Sequence, residues 1–168
     1  MKKMFLLLMA VVVAGCGYST RSLVSDQYRT IFVAPFENKI NYMAQDTRRV
    51  YVSGLEGKAR EVIVDRYLFD GNLRLADEDT ADLVLKGQLL GFEREELRLD
   101  QNATVKEYRI RVTVALTLWD PVTNKVVWEE PSFVGEATYY TSTPESAAMD
   151  AALKDLALRV VARTVEAW

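Results

Sequence analysis

Val105-Lys106-Glu107-Tyr108-Arg109-Ile110-Arg111-Val112-Thr113-Val114-Ala115-Leu116-Thr117-Leu118-Trp119 is the stretch that decides the fold. Tyr108, Ile110, Val112, Val114, Leu116 and Leu118 share one parity, and Glu107, Arg109, Arg111, Thr113, Ala115 and Thr117 share the other. Side chains alternate across a strand with period two, so the spacing predicts a long strand with one apolar and one mostly polar face. That pattern belongs to an antiparallel sheet covered on one side only.

The flanks extend the sheet. Asp120-Pro121-Val122-Thr123-Asn124-Lys125 supplies a hairpin connection, and Val126-Val127-Trp128 begins a return strand that bends at Pro131 and continues from Phe133 to Tyr140. Upstream, Asp100-Gln101-Asn102 is a turn. Leu83 to Phe92 reads as a strand in which Gly87 and Gly91 mark bends or bulges, and Glu93 to Asp100 is dense in mixed charge. Residues 83–140 are thus expected to form a three-stranded meander.

A helix is expected at each end of the meander. Thr143 suits an N-cap, Pro144 the first helical position and Glu145 the positive end of the helix dipole. Met149, Ala152, Leu153, Leu156, Ala157 and Val160 form one stripe, carrying this helix to about Val165. Earlier in the chain, Thr30-Ile31-Phe32-Val33-Ala34-Pro35 reads as a first strand stopped by proline. From about Asp46 to Phe69 the spacing turns helical, with Val52, Leu55, Ala59, Val62 and Ile63 on one face and Asp46 or Thr47 as cap. Gly54 and Gly57 each cost about 1 kcal/mol relative to alanine in a helix interior, which weakens its first turns. Asp70-Gly71-Asn72 ends it, and Leu73-Arg74-Leu75 alternates briefly. The order of elements predicts an α+β two-layer sandwich, a mostly antiparallel sheet with both helices packed on its apolar face.

Composition narrows the function. The sequence holds no histidine, which excludes Ser-His-Asp and Cys-His catalysis and the common His-containing zinc sites. It holds no GxxxxGK[ST] or GxGxxG phosphate loop. Asp77-Glu78-Asp79-Thr80, with Asp82 beyond, has the carboxylate density of a calcium site, but the EF-hand spacing and glycine are absent and the stretch reads as a solvated turn. No pair of carboxylates stands out for glycan hydrolysis, so neither catalytic residues nor a metal or cofactor is assigned.

The N-terminus has a layout of its own. Met1-Lys2-Lys3 is positive, Met4 to Val13 is an apolar run, and Ala14 and Gly15 are small. That is a secretory signal peptide, too short to span a bilayer, which needs about 20 apolar residues. Cys16, the only cysteine, follows directly, and the stretch looks like a bacterial lipobox. The likeness implies a thioether-linked diacylglycerol on Cys16, cleavage before it and acylation of the freed amine. Gly17, rather than aspartate, resembles the outer-membrane address of Gram-negative lipoproteins. Residues 1–15 are then the signal peptide, 16–28 the lipidated N-terminus and tether, and 29–168 one domain without a disulfide. Losing Lys2 and Lys3 leaves 19 basic against 24 acidic residues, a formal charge of −5. That balance argues against nucleic acid as a partner.

The chain resembles the lipopolysaccharide-assembly lipoproteins of the LptE family. The residues that carry the likeness are Gly15-Cys16-Gly17-Tyr18, Ile31-Phe32-Val33-Ala34-Pro35-Phe36-Glu37-Asn38 and Gly54-Leu55-Glu56. They continue with Ala81-Asp82-Leu83-Val84-Leu85-Lys86-Gly87, Tyr108-Arg109-Ile110-Arg111-Val112, Leu118-Trp119-Asp120 and Val126-Val127-Trp128, in family order along nearly the whole mature chain. The resemblance implies a four-stranded sheet with two helices, anchored in the outer membrane. It implies a partner, the LptD β-barrel translocon, whose lumen the domain partly plugs, and a role in placing lipopolysaccharide in the outer leaflet without covalent chemistry.

Lipid A carries phosphates, which arginine binds well through forked hydrogen bonds. Arg94, Arg98, Lys106, Arg109 and Arg111 gather around one predicted hairpin and are the candidate lipopolysaccharide contacts. Glu93, Glu95, Glu96 and Glu107 lie among them, so an ordinary solvated hairpin fits the same residues. Tyr139 and Tyr140 read equally as interface anchors or as a strand end packed on the last helix. The alternative function is a binding or scaffold module of another envelope complex.

Overall fold

The computed structural model describes residues 27–41 and 52–166. The signal peptide, Cys16, the tether as far as residue 26 and the Asp46 and Thr47 caps lie outside them. Within them the order is β1 (Thr30–Val33), β2 (Glu37–Asn38), α1 (Leu55–Asp70), β3 (Arg74–Leu75), β4 (Leu83–Leu99), β5 (Val105–Asp120), β6 (Lys125–Tyr140) and α2 (Glu145–Glu166).

β5 obeys its alternation. Ile110, Val112, Val114, Leu116 and Leu118 are all fully buried, and they meet Leu85, Leu89 and Phe92 of β4 in one core with both helices. β4 and β6 flank β5 antiparallel, as the meander requires. The sheet itself corrects the expectation of four mostly antiparallel strands. It has six, ordered β3-β1-β4-β5-β6, with β2 also on β4, and β1 and β2 run parallel to their neighbours. The cause is connectivity: α1 carries the chain back across the sheet, so the strands on either side of it point the same way.

Two further boundaries differ from the sequence reading. The described part of α1 begins at Leu55, because Gly54 sits left-handed at φ 71° and caps the helix rather than lying inside it; Gly71, at φ 75°, closes the other end and donates its N–H to Tyr67. β4 does not stop at Phe92 but runs through the charged stretch to Leu99, since Glu93, Glu95 and Arg98 face Arg111, Arg109 and Glu107 across the ladder. Opposite charges directly across a strand pair favour the sheet. β6 passes Pro131 as foreseen: Pro131 and Ser132 together face Ala115, a bulge on an edge strand, where proline is tolerated.

The helices lie side by side and run parallel. Lys58 Nζ meets Asp150 Oδ1 at 3.0 Å near their starts, and Tyr67 Oη meets Thr164 Oγ1 at 2.7 Å near their ends. Burial pushes the Tyr67 phenol far up, so it stays neutral beside Thr164.

Asp82 bolts β1 to the sheet. Its Oδ2 accepts from the N–H of Arg29 at 2.8 Å, the N–H of Thr30 at 2.9 Å and the Thr30 hydroxyl at 2.9 Å. The Arg29 N–H first, and the Thr30 donors after it, hold the carboxyl below the usual carboxylate range against the opposing effect of burial. A depressed folded pKa stabilises fully above the unfolded value of about 3.9 and ceases to as pH falls through the folded one. Asp82→Ala is therefore expected to cost about 1.5–3 kcal/mol at neutral pH, the range for hydrogen bonds to a charged group. Urea titration of both proteins should show that gap narrowing at acid pH. A gap that persists undiminished there would rule out the carboxylate as its source.

Candidate functional site

The bulges decide where the five candidate cations go. Leu89 pairs with Val114 and Gly91 with Thr113, so Leu90 is an extra residue. Beyond it the parity of β4 is inverted, and Arg94 lands opposite Ile110 on the helix-covered side. Its Nη1 meets Glu145 Oε2 at 2.7 Å, at the start of α2, and its Cζ lies 5.3 Å from the centre of the Tyr108 ring. Tyr108 stacks on Tyr139 at 5.5 Å, and the Tyr139 hydroxyl donates to the same Glu145 oxygen at 3.3 Å. Arg94 thus fastens α2 to the sheet. Tyr139 is buried in this stack, while Tyr140 remains exposed.

Arg98, Arg109 and Arg111 lie instead on the face that neither described helix covers, in rows set by the register: Glu93, Arg111 and Glu136; then Glu95, Arg109 and Thr138; then Arg98, Glu107 and Tyr140. Arg111 bridges two of these rows, its Nη1 3.1 Å from Glu95 Oε1 and its Nε 3.5 Å from Glu136 Oε2. Arg98 Nε is 3.8 Å from Glu107 Oε2, and its guanidinium lies over Tyr140. The Nε of Arg109 is buried and has no hydrogen-bond partner among the described residues. Lys106 stands apart at the hairpin turn, 3.2 Å from Asp100. Asp100 is itself held low by the N–H groups of Thr104 and Asn102. The structure therefore divides the predicted cluster: Arg98, Arg109 and Arg111 share the open face, Arg94 serves the helix, and Lys106 marks the tip. Around that tip Leu97, Leu99 and Tyr140 expose 41%, 52% and 54% of their surface, placing apolar groups beside the cations.

Toward the other end the open face forms a trough of about 490 Å³, lined by Ala34, Pro35, Lys86, Gln88, Ala115 and Glu129 among others. Ala115 is the small residue in the polar parity of β5, and that was its one trace in the sequence. Lys86 Nζ sits 4.5 Å from the centre of the Trp119 ring beside it, a contact no local pattern announced. A second groove, of about 350 Å³, lies between the helices and is lined by Val62, Arg66, Phe69, Lys154, Ala157 and Leu158.

Chemically this is a surface for contact. Among the described residues the carboxyls with shifted pKa, Asp82, Asp100 and Asp120, are held low by the N–H and hydroxyl donors around them. Among the described residues no group of three or more acidic or sulfur side chains converges on a metal-binding arrangement, and Asp82, beyond the acidic turn, commits its Oδ2 to β1. No described helix is long and apolar enough to cross a membrane.

Comparison with known proteins follows the same lines. The family model described as "LptE: Lipopolysaccharide-assembly" matches residues 28–164. No curated protein gives a significant sequence match. Among solved structures, a Xanthomonas campestris protein of the family model DUF330 superposes with a TM-score of 0.57 at 14% identity, covering 83% of this chain and 85% of its own. A hypothetical protein from Chlamydia trachomatis gives 0.55 at 13% identity, covering 81% and 95%. A minor lipoprotein from Acinetobacter baumannii gives 0.50 at 16%, covering 82% and 91%. At such identities these likenesses establish a shared fold.

Proposed function

Because the chain belongs to the LptE family of lipopolysaccharide assembly, we propose that it is an outer-membrane lipoprotein, anchored through Cys16, that partners and partly plugs an LptD-type β-barrel and helps place lipopolysaccharide in the outer leaflet. The observation that carries this reading is the family match over residues 28–164, which spans every described element but the last two residues of α2. The one-sided sheet supports it. A domain seated in a water-filled barrel needs a face that forms hydrogen bonds with polar lumen residues, and the Arg98, Arg109 and Arg111 rows supply one.

The test is a mild-detergent pull-down of the lipidated protein from its own envelope, with bound proteins identified by mass. Recovery of a stoichiometric large barrel of the LptD type is the expected result. Recovery of a different envelope complex would move the protein to the scaffold reading.

Direct lipopolysaccharide contact is best sought at the hairpin tip, where Arg98 and Lys106 can meet phosphates while Leu97, Leu99 and Tyr140 meet acyl chains. Arg98→Gln with Lys106→Gln is expected to weaken binding of purified lipopolysaccharide by about tenfold, roughly 1.4 kcal/mol. Thermal stability should change little, because both cations are more than half exposed and such ion pairs contribute little. Unchanged affinity would remove the tip from the contact surface. Arg111 is a poorer choice, since its side chain is only 34% exposed and holds both Glu95 and Glu136.

A further inference from the structure

We propose that the end of the domain from which the N-terminal segment leaves is seated on zwitterionic phospholipid, with Phe69, Leu68 and Val122 entering the headgroup layer. The inference rests on the reading of Cys16 as the lipid anchor.

The exit point is fixed. Tyr28 Oη donates to Asp120 Oδ2 at 2.9 Å, and the Asp82 carboxylate holds the backbone of Arg29 and Thr30. The topology brings three other features to that same end. α1 finishes there, because Gly71 leads within three residues to Arg74, whose N–H bonds to Arg29 O at 2.9 Å. β5 ends there, since Trp119 pairs with Val84 at the start of β4. The β5–β6 turn follows directly.

What this end exposes is unusual for a water-facing surface. Phe69 is 81% exposed, Leu68 64%, Val122 86% and Val126 55%. Phe69 and Leu68 close α1 and Val122 lies in the β5–β6 turn, and exposed aromatic and aliphatic side chains are the kinds that settle at a membrane interface. Arg66, whose Cζ lies 5.2 Å from the centre of the Phe69 ring, has a stem long enough to keep its charge among phosphates while the ring goes deeper. Arg29, Arg74 and Lys125 stand at the same end with Asp65, Asp70, Asp77, Glu78 and Asp79. Both signs are present, which fits a zwitterionic headgroup layer better than an anionic one.

Distance selects this end over the other. Ten residues, 17–26, separate Cys16 from Gln27, and a fully extended chain of that length reaches less than about 40 Å. The hairpin tip lies a whole 17-residue strand away, about 50 Å at the usual rise. Outside a barrel, an anchored domain standing on its tether therefore presents Phe69 to the bilayer and holds Leu97 and Leu99 clear of it; inside one, the same tether keeps the Phe69 end at the headgroup level. A few apolar side chains suffice, because the tether keeps them at a high effective concentration at the surface.

The single cysteine makes the test direct. With Cys16 acylated, Phe69→Cys, Val122→Cys and Leu97→Cys each give a protein with one free thiol. Each is labelled with an environment-sensitive nitrobenzoxadiazole probe and reconstituted as the full lipidated chain into phosphatidylcholine vesicles containing brominated acyl chains. Labels at 69 and 122 should shift to the blue and be quenched roughly twofold or more relative to the label at 97, as burial 5–10 Å into the interface demands. Mass measurement on the same samples reports the acyl chains. No quenching at 69 and 122 in acylated protein, or equal quenching at 97, overturns the seat and leaves the anchor standing. Absence of acyl chains, with a second label on Cys16, overturns the anchor and the seat with it.

Discussion

Gly135→Ala should destabilise the domain by about 3 kcal/mol, the upper part of the range for an overpacked core. Gly135 lies in β6 beneath α2. A Cβ there would come within 2.5 Å of Ala152 O and of Leu156 Cβ, and 2.8 Å of Leu156 Cα. The first and last of these are helix backbone, which cannot turn aside as a side-chain tip does. The added methyl must push α2 off the sheet, and α2 carries Leu153, Leu156, Val160 and Val161 into the core. A falling denaturant midpoint with unchanged slope is the expected signature. The matched control is Gly57→Ala in α1, where a Cβ meets nothing within 4 Å; it should stabilise by about 0.5–1 kcal/mol through helix propensity. If both variants behave alike, the close approach of helix and strand is not what Gly135 serves.

A chain that starts at Gly17, and so keeps neither Cys16 nor the apolar run Met4 to Val13, should no longer be anchored to membranes. Burying acyl chains yields about 0.8 kcal/mol per CH2, so two or three chains amount to anchoring that a dilution does not reverse, and their loss leaves only the weak apolar end. Flotation of purified protein with phosphatidylcholine vesicles reads this directly: the wild type should rise with the lipid and the variant stay in the dense fraction. The described core involves no residue before Tyr28, so thermal unfolding of the two should coincide. A variant that still floats would place the membrane attachment elsewhere in the chain.

Much of this architecture was open to reading in the sequence because its central signals are local. The alternation of β5 needs no partner to be seen, and neither does the stripe of α2 after Pro144. The parallel strands were hidden for the converse reason. β2 and β3 have two residues each, too few to show any period, and β1 is placed by bonds from Arg29 and Thr30 to Asp82, more than fifty positions away. The charged half of β4 shows no apolar alternation, because its stability lies in the opposite charges across the ladder. The site was half legible. That Arg94, Arg98, Lys106, Arg109 and Arg111 gather near one hairpin follows from their numbers. Which face each takes depends on Leu90, a single extra residue that no residue type marks as a bulge, and it sends Arg94 to the helix.

The position of β1 between β3 and β4 has a consequence for the order in which the molecule is assembled. The meander of β4, β5 and β6 closes through short hairpins and gathers its contacts early, whereas strand pairs distant in sequence form late. The first strand to be synthesised therefore has no neighbours until residues 74–85 exist, and its slot is complete only when β4 has been laid against β5. Tyr28 must wait longer still, for Asp120. The earliest part of the domain to emerge is thus the last to be fastened, and any change to Tyr28 or Asp82 would be felt late in assembly rather than at its start.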